Sequence, residues 1–197
     1  MILPAILKKG RLGGEVSVVG VVRGREKKGV EQRTGRSVIS DYGSGMSVEE
    51  RLNELGIELP EVATPVASYV NVVRTGNLLF LSGGLPDLSR EECKGQVPSG
   101  VTPELAKEAA REAILGRLAV IRNEIGSLDK VTRVVSVQGF VRAAQDFGEI
   151  PQVINGASDT LVEVFGPEIG SHSRTAVGVA SLPLNVCVEV ALVVEVC

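Results

Sequence analysis

The stretch VCVEVALVVEV, residues 186–196, alternates without a break. Val186, Val188, Val190, Leu192, Val194 and Val196 form one set; Cys187, Glu189, Ala191, Val193 and Glu195 form the other. Successive strand side chains point to opposite faces of a sheet. An aliphatic stripe of this length therefore demands a sheet covered on one face by apolar helices. The opposite face then has to accommodate Glu189, an acid in the middle of an aliphatic strand.

The helices that such a sheet needs are present upstream. Thr102 is a suitable N-cap, with Pro103 and Glu104 in the first turn. Ala110, Ile114, Leu118, Ile121 and Ile125 follow at helical spacing, and Gly126 ends the element. A second helix is expected over 151–165, with Ile154, Ala157, Leu161 and Val164 on one face and Gly166-Pro167 as its stop. Earlier, Ser47 and Glu50 in "MSVEERLNELGIELP" form a capping box, with Gly56 closing a short helix. Strands are expected at 68–73 and 77–82, joined by Arg74-Thr75-Gly76, then at 130–142, 174–180 and 186–196; residues 84–101 read as a loop. The order ββαβαββ implies an α/β sandwich: one mixed sheet with both main helices on one face.

Residues 1–45 differ in character, with nine basic and four acidic side chains against twelve and twenty in the remainder. They read as a disordered basic extension or as upstream sequence from a misassigned start, which puts the globular domain at 46–197. Three cysteines, Cys93, Cys187 and Cys197, make no CxxC pair, and the odd count argues against a disulfide framework; a reducing, cytoplasmic setting is the default. A single histidine and scattered cysteines do not supply a zinc ligand set. No apolar run has the length of a membrane span. "LSGGLP" is not a dinucleotide fingerprint and no helix follows it directly.

The stretch GSHSRTAVGVAS, residues 170–181, opens an apolar strand with Arg174, beside the only histidine, His172. If "SLPLN" joins the last two strands as an antiparallel hairpin, Arg174 falls roughly opposite Glu189. Ala176 and Gly178 would then floor a hollow next to the guanidinium. That arrangement suits a carboxylate, because a guanidinium offers a rigid two-donor fork. A solvated cross-strand Arg–Glu pair is the plainer reading of the same pattern.

At these residues the chain resembles the Rid, or YjgF-like, family of imine/enamine deaminases, as a divergent branch. The resemblance covers nearly all of 46–197. It rests on "YVNVVRTGNLLFLSGGLP", "VVSVQGFV", "NGASDTLVEVFG" and "SRTAVGVASLPLNVCVEV", with an arginine followed fifteen residues later by a glutamate. It implies a chorismate-mutase-like fold and a homotrimer with clefts between subunits. It further implies that Arg174 binds a substrate carboxylate and that Glu189 positions the attacking water. Tyr69, Ser82, Gly83 and Asn155 would line the pocket, and the main chain near Ala176 would accept a hydrogen bond. Three departures border that pocket: Ser173 before the arginine, Gly84 after "SG", and a longer, different 84–101 loop and "EIGSHS" stretch.

The implied reaction is hydrolysis of 2-imino or enamine acids to 2-keto acids and ammonia, without a cofactor. A non-catalytic trimer binding small carboxylates would use the same arginine. An endoribonuclease, the third alternative, would require a basic face and acid/base histidines, whereas this domain is acidic. His172, two residues before Arg174, reads as an incidental loop histidine, with tuning or gating of the site as the alternative. Cys187 reads as a small buried filler, Cys93 as part of a charged loop, and Cys197 as a frayed terminus.

Overall fold

The computed structural model describes residues 45–65 and 67–197. Gly45 apart, the basic extension expected over 1–45 lies outside the described residues. Within them, three helices and five strands follow in the order α1 (Val48–Glu54), β1 (Val72–Thr75), β2 (Leu78–Gly84), α2 (Pro103–Ile125), β3 (Val131–Arg142), α3 (Ile150–Gly170), β4 (Ser173–Val179) and β5 (Val188–Val196).

The local signals behave as their chemistry dictates. Ser47 and Glu50 satisfy each other's backbone N–H at 3.1 and 2.9 Å, and Thr102 Oγ1 accepts from the Leu105 N–H at 3.2 Å. Gly126 ends α2 in a left-handed conformation at φ 85°. Helix α3 outruns its expected end. Gly166 breaks it with φ 76°, and a further turn continues through Pro167 to Gly170. The first hairpin is displaced from its expected place. Its strands run 72–75 and 78–84, and the tight turn is Gly76-Asn77, with Gly76 at φ 56°. The 84–101 segment carries one short 3₁₀ turn at Glu91–Cys93.

The sheet order is β1-β2-β5-β3-β4. The closing hairpin expected from "SLPLN" does not form. Strand β5 pairs antiparallel with both β2 and β3, and β4 pairs parallel with β3 at the sheet edge. Two physical reasons account for this. The all-aliphatic stripe of β5 buries best in the middle of the sheet, and α3 between β3 and β4 makes a β–α–β crossover, which joins parallel neighbours. The connection from β4 to β5 passes through a 3₁₀ turn at Pro183–Asn185.

Helices α2 and α3 cover one face. Val186, Val188, Val190, Leu192, Val194 and Val196 are all buried, together with Ile114, Leu118, Ile121, Ile154 and Leu161. Among the described residues, no helix covers the other face. Val73, Phe80 and Val177 stay exposed on it, flanking the row that contains Phe140, Gln138, Val193 and Glu189. No helix among the described residues is long and apolar enough to cross a membrane.

Candidate functional site

The expected site residues separate into two groups. The first forms where β2 loses register. Leu81 pairs with Leu192 but Gly84 pairs with Val190, so one extra residue is inserted and Ser82 and Gly83 bulge outward. The bulge turns Gly83 against Glu189, where a Cβ would lie 2.7 Å from the Glu189 Cδ. The Ser82 hydroxyl donates to the Val70 carbonyl at 2.7 Å, and its own carbonyl accepts from Arg117 Nη1 at 3.2 Å. Burial raises the Glu189 carboxyl above the ordinary carboxylate range, and the Arg117 charge opposes this. Gly83 and Tyr69 border a cleft of about 670 Å³ that also includes Arg117, Gly116, Leu85 and Leu115.

The second group gathers on the helix-covered side at the other edge of the sheet. Arg174 pairs with Val137, a buried position, and so leans toward α3. Its Nη1 donates to Asn155 Oδ1 at 2.8 Å and to Ser158 Oγ at 3.1 Å. His172 completes the cluster, with Nε2 3.0 Å from Ser158 Oγ and Nδ1 2.6 Å from the Gly170 carbonyl. Because a carbonyl only accepts, Nδ1 carries the proton. Nε2 therefore accepts from the Ser158 hydroxyl, while Ser158 Oγ accepts from the arginine. Burial lowers the His172 pKa below its usual value; the hydrogen bond to Gly170 raises it and the Arg174 charge lowers it further. Among the described residues Arg174 is exposed and has no acidic partner.

Arg174 and Glu189 are thus not opposite each other. Glu189 pairs with Phe140 on the helix-free face, while Arg174 shares the helix-covered face with Val137. The proposed floor of Ala176 and Gly178 is not a hollow either. A Cβ on Gly178 would meet Ile150 Cδ1 at 3.0 Å, and Ala176 packs against the core. These small residues make room for α3.

The cysteines carry no reactive signature. Cys187 is buried, which pushes its thiol up to about 12. Cys93, expected in a charged loop, is also buried, and its carbonyl accepts from the Cys187 N–H at 2.9 Å. Cys197 is exposed.

Sequence reasoning missed Arg117 and Ser158. Arg117 had a readable signal. It lies seven residues after Ala110, three after Ile114 and four before Ile121, on the stripe that faces the sheet.

Comparison with known proteins agrees with this fold. Residues 49–196 match the family model described as "YjgF/chorismate_mutase-like, putative endoribonuclease". Protein TCP17 of Trypanosoma cruzi is 42% identical over 149 residues, which is 75% of this chain and 93% of that protein. A 2-iminobutanoate/2-iminopropanoate deaminase of Dermatophagoides farinae is 29% identical over 142 residues, 71% of this chain and 94% of that protein. Among solved structures, Atu1372 of Agrobacterium tumefaciens is 39% identical with a TM-score of 0.69, covering 76% of this chain and 92% of its own. A "putative endoribonuclease" of Shewanella oneidensis is 32% identical with a TM-score of 0.73, covering 77% and 100%.

Proposed function

The chain belongs to the YjgF/chorismate mutase-like (Rid) family, and on that premise we propose that it hydrolyses reactive 2-imino and enamine acids to 2-keto acids and ammonia. The site is a cleft between copies of the chain in a homotrimer. Arg174 and Asn155 come from one copy, and Glu189, Gly83 and Tyr69 from the next.

One observation carries the reading. Arg174 is exposed and, among the described residues, has no acidic partner; Asn155 and Ser158 hold it through a single nitrogen, which leaves its other donors without a protein partner. Such a fork suits a carboxylate arriving from solvent. The separation of Arg174 from Glu189 by the sheet favours a shared site over an internal one. The exposed Val73, Phe80 and Val177 give the copies an apolar face to bury.

In the reaction, Arg174 fixes the substrate carboxylate and contributes through positioning. Glu189 takes a proton from water as the oxygen adds to the C=N carbon and returns it to the nitrogen, giving a neutral carbinolamine. Glu189 then moves the hydroxyl proton of the carbinolamine to its amine nitrogen, and the C–N bond breaks to release ammonia as the C=O forms. A carboxylate whose pKa is raised by burial is a stronger base than an ordinary one. The endoribonuclease alternative fits poorly with an acidic domain and one histidine, whose ring nitrogens are both engaged.

The test is ammonia release from freshly generated 2-iminopropanoate by the protein and by Arg174→Ala and Glu189→Gln. Acceleration lost in both variants supports the reading. No acceleration by the wild type, with a 2-keto acid still bound through Arg174, moves the protein to the non-catalytic carboxylate binders.

A further inference from the structure

Arg117 is 6% exposed. Among the described residues its guanidinium makes one hydrogen bond, to the Ser82 carbonyl at 3.2 Å, and its Nε is buried without a partner. Among the described residues it forms no ion pair within 4.0 Å. A guanidinium cannot shed its charge, and an uncompensated buried charge is strongly unfavourable. Its place on the apolar stripe of α2 would suit a leucine.

Two glycines keep space around it. A Cβ on Gly84 would come within 2.7 Å of Arg117 Nε. Gly116, inside α2 where glycine weakens a helix, borders the same cleft, and nothing lies within 4 Å of where its Cβ would be. Four acids, Glu58, Glu61, Asp87 and Glu112, line the same cleft, and none of them forms an ion pair with Arg117. Glu112 pairs with Arg90, the Asp87 carboxylate accepts the Ser89 N–H, and Glu58 and Glu61 are solvent-exposed. Glu189 attracts the guanidinium without reaching contact.

We propose that Arg117 is an anion-binding residue of the cleft bordered by Gly83, the glycine packed on Glu189, and that it selects ligands bearing a second carboxylate, namely 2-imino dicarboxylic acids. This rests on the reading of the cleft as a carboxylate site, in which Arg174 of a neighbouring copy holds the carboxylate next to the imine. Arg117 and Glu189 lie close enough for each to act electrostatically on the other, so a ligand with its imine carbon beside Glu189 would direct a distal carboxylate toward Arg117. A cleft of about 670 Å³ leaves far more room than a three-carbon acid fills.

The experiment is calorimetric binding of 2-oxoglutarate and 2-oxobutanoate, stable analogues of the two product classes, to wild type, Arg117→Met, Arg117→Lys and Arg174→Ala. Wild type is expected to bind the dicarboxylate at least about ten-fold more tightly. Arg117→Met brings that ratio to about one by weakening the dicarboxylate far more than 2-oxobutanoate, and Arg174→Ala weakens both acids. Equal affinities in the wild type overturn the inference, as does an Arg117→Met variant that loses both acids alike. If the methionine variant does not fold, Arg117→Lys serves: a reduced ratio supports the inference, and a ratio equal to wild type overturns it. A dicarboxylate preference without any imine hydrolysis sinks the deaminase reading alone. Arg174-dependent hydrolysis of 2-iminopropanoate without the preference sinks the role of Arg117 alone.

Discussion

Arg174 and Glu189, fifteen residues apart in the chain, lie on opposite faces of the sheet, with β3 between their strands. No side-chain movement within one copy brings them to a common substrate. If they act together, they act across copies. Arg174→Ala and Glu189→Gln should then each be inactive alone, and mixing them should restore turnover. In a ring where each site takes one residue from each of two neighbours, random assembly of an equal mixture makes about one quarter of the sites intact. Ammonia release after denaturing and refolding the two together checks this. Recovery near zero would place both residues in the same copy's site or outside it.

The raised carboxyl of Glu189 has a consequence for stability. Its folded pKa lies above its ordinary value near 4.5, with burial as the main cause. Folding therefore favours the protonated form, and that contribution is fully present below 4.5 and lost as pH rises through the folded pKa. At neutral pH the ionised group is a burden that glutamine does not carry. Glu189→Gln is expected to unfold at higher urea concentration than wild type at pH 7, with the difference closing below pH 4.5. A variant less stable at pH 7 would contradict the burial argument.

How much of this was legible follows from the range of the forces involved. The caps at Ser47 and Thr102, the stripes of α2 and α3 and the alternation of β5 are local patterns, and each appears where the sequence put it. Strand order is not local. Whether β4 pairs with β5 or with β3 depends on where α3 packs and on which strand gains most from the centre, and no stretch of sequence near "SLPLN" encodes that. The small residues Ala176 and Gly178 were visible, but whether they faced a ligand or α3 was not. Arg117 was hidden in plain view. A charge on an apolar helical stripe is a signal, but its meaning depends on a bulge in β2, far away in the chain.

Gly83 tests that bulge. A Cβ there would overlap the Glu189 carboxylate, the mobile end of a side chain and not backbone. Gly83→Ala should fold, because the carboxylate can move aside. The displaced carboxylate then stands about an ångström or more from its working position, and a displacement of that size costs on the order of 100-fold in turnover. Steady-state kinetics with a parallel unfolding curve checks this. Unchanged turnover would remove Glu189 from the reaction.

His172 offers the last test, and the only histidine in the chain gives it a single resolvable titration. Neutral His172 accepts from Ser158, which leaves Ser158 free to accept from Arg174. Protonated, its Nε2 donates instead, competing with Arg174 for the same oxygen and setting a second positive charge beside the guanidinium. Burial holds its folded pKa below the ordinary 6.5. A depressed histidine contributes stability that is present above 6.5 and is lost as pH falls through the folded pKa. The ring proton signals should titrate below pH 6.5, and His172→Gln should flatten the fall in stability on that side of neutrality. An anion bound at Arg174 adds negative charge next to the ring and should move the titration upward. Adding 2-oxobutanoate while following the His172 signal reads this directly. If the midpoint does not move in wild type, the carboxylate is not at Arg174.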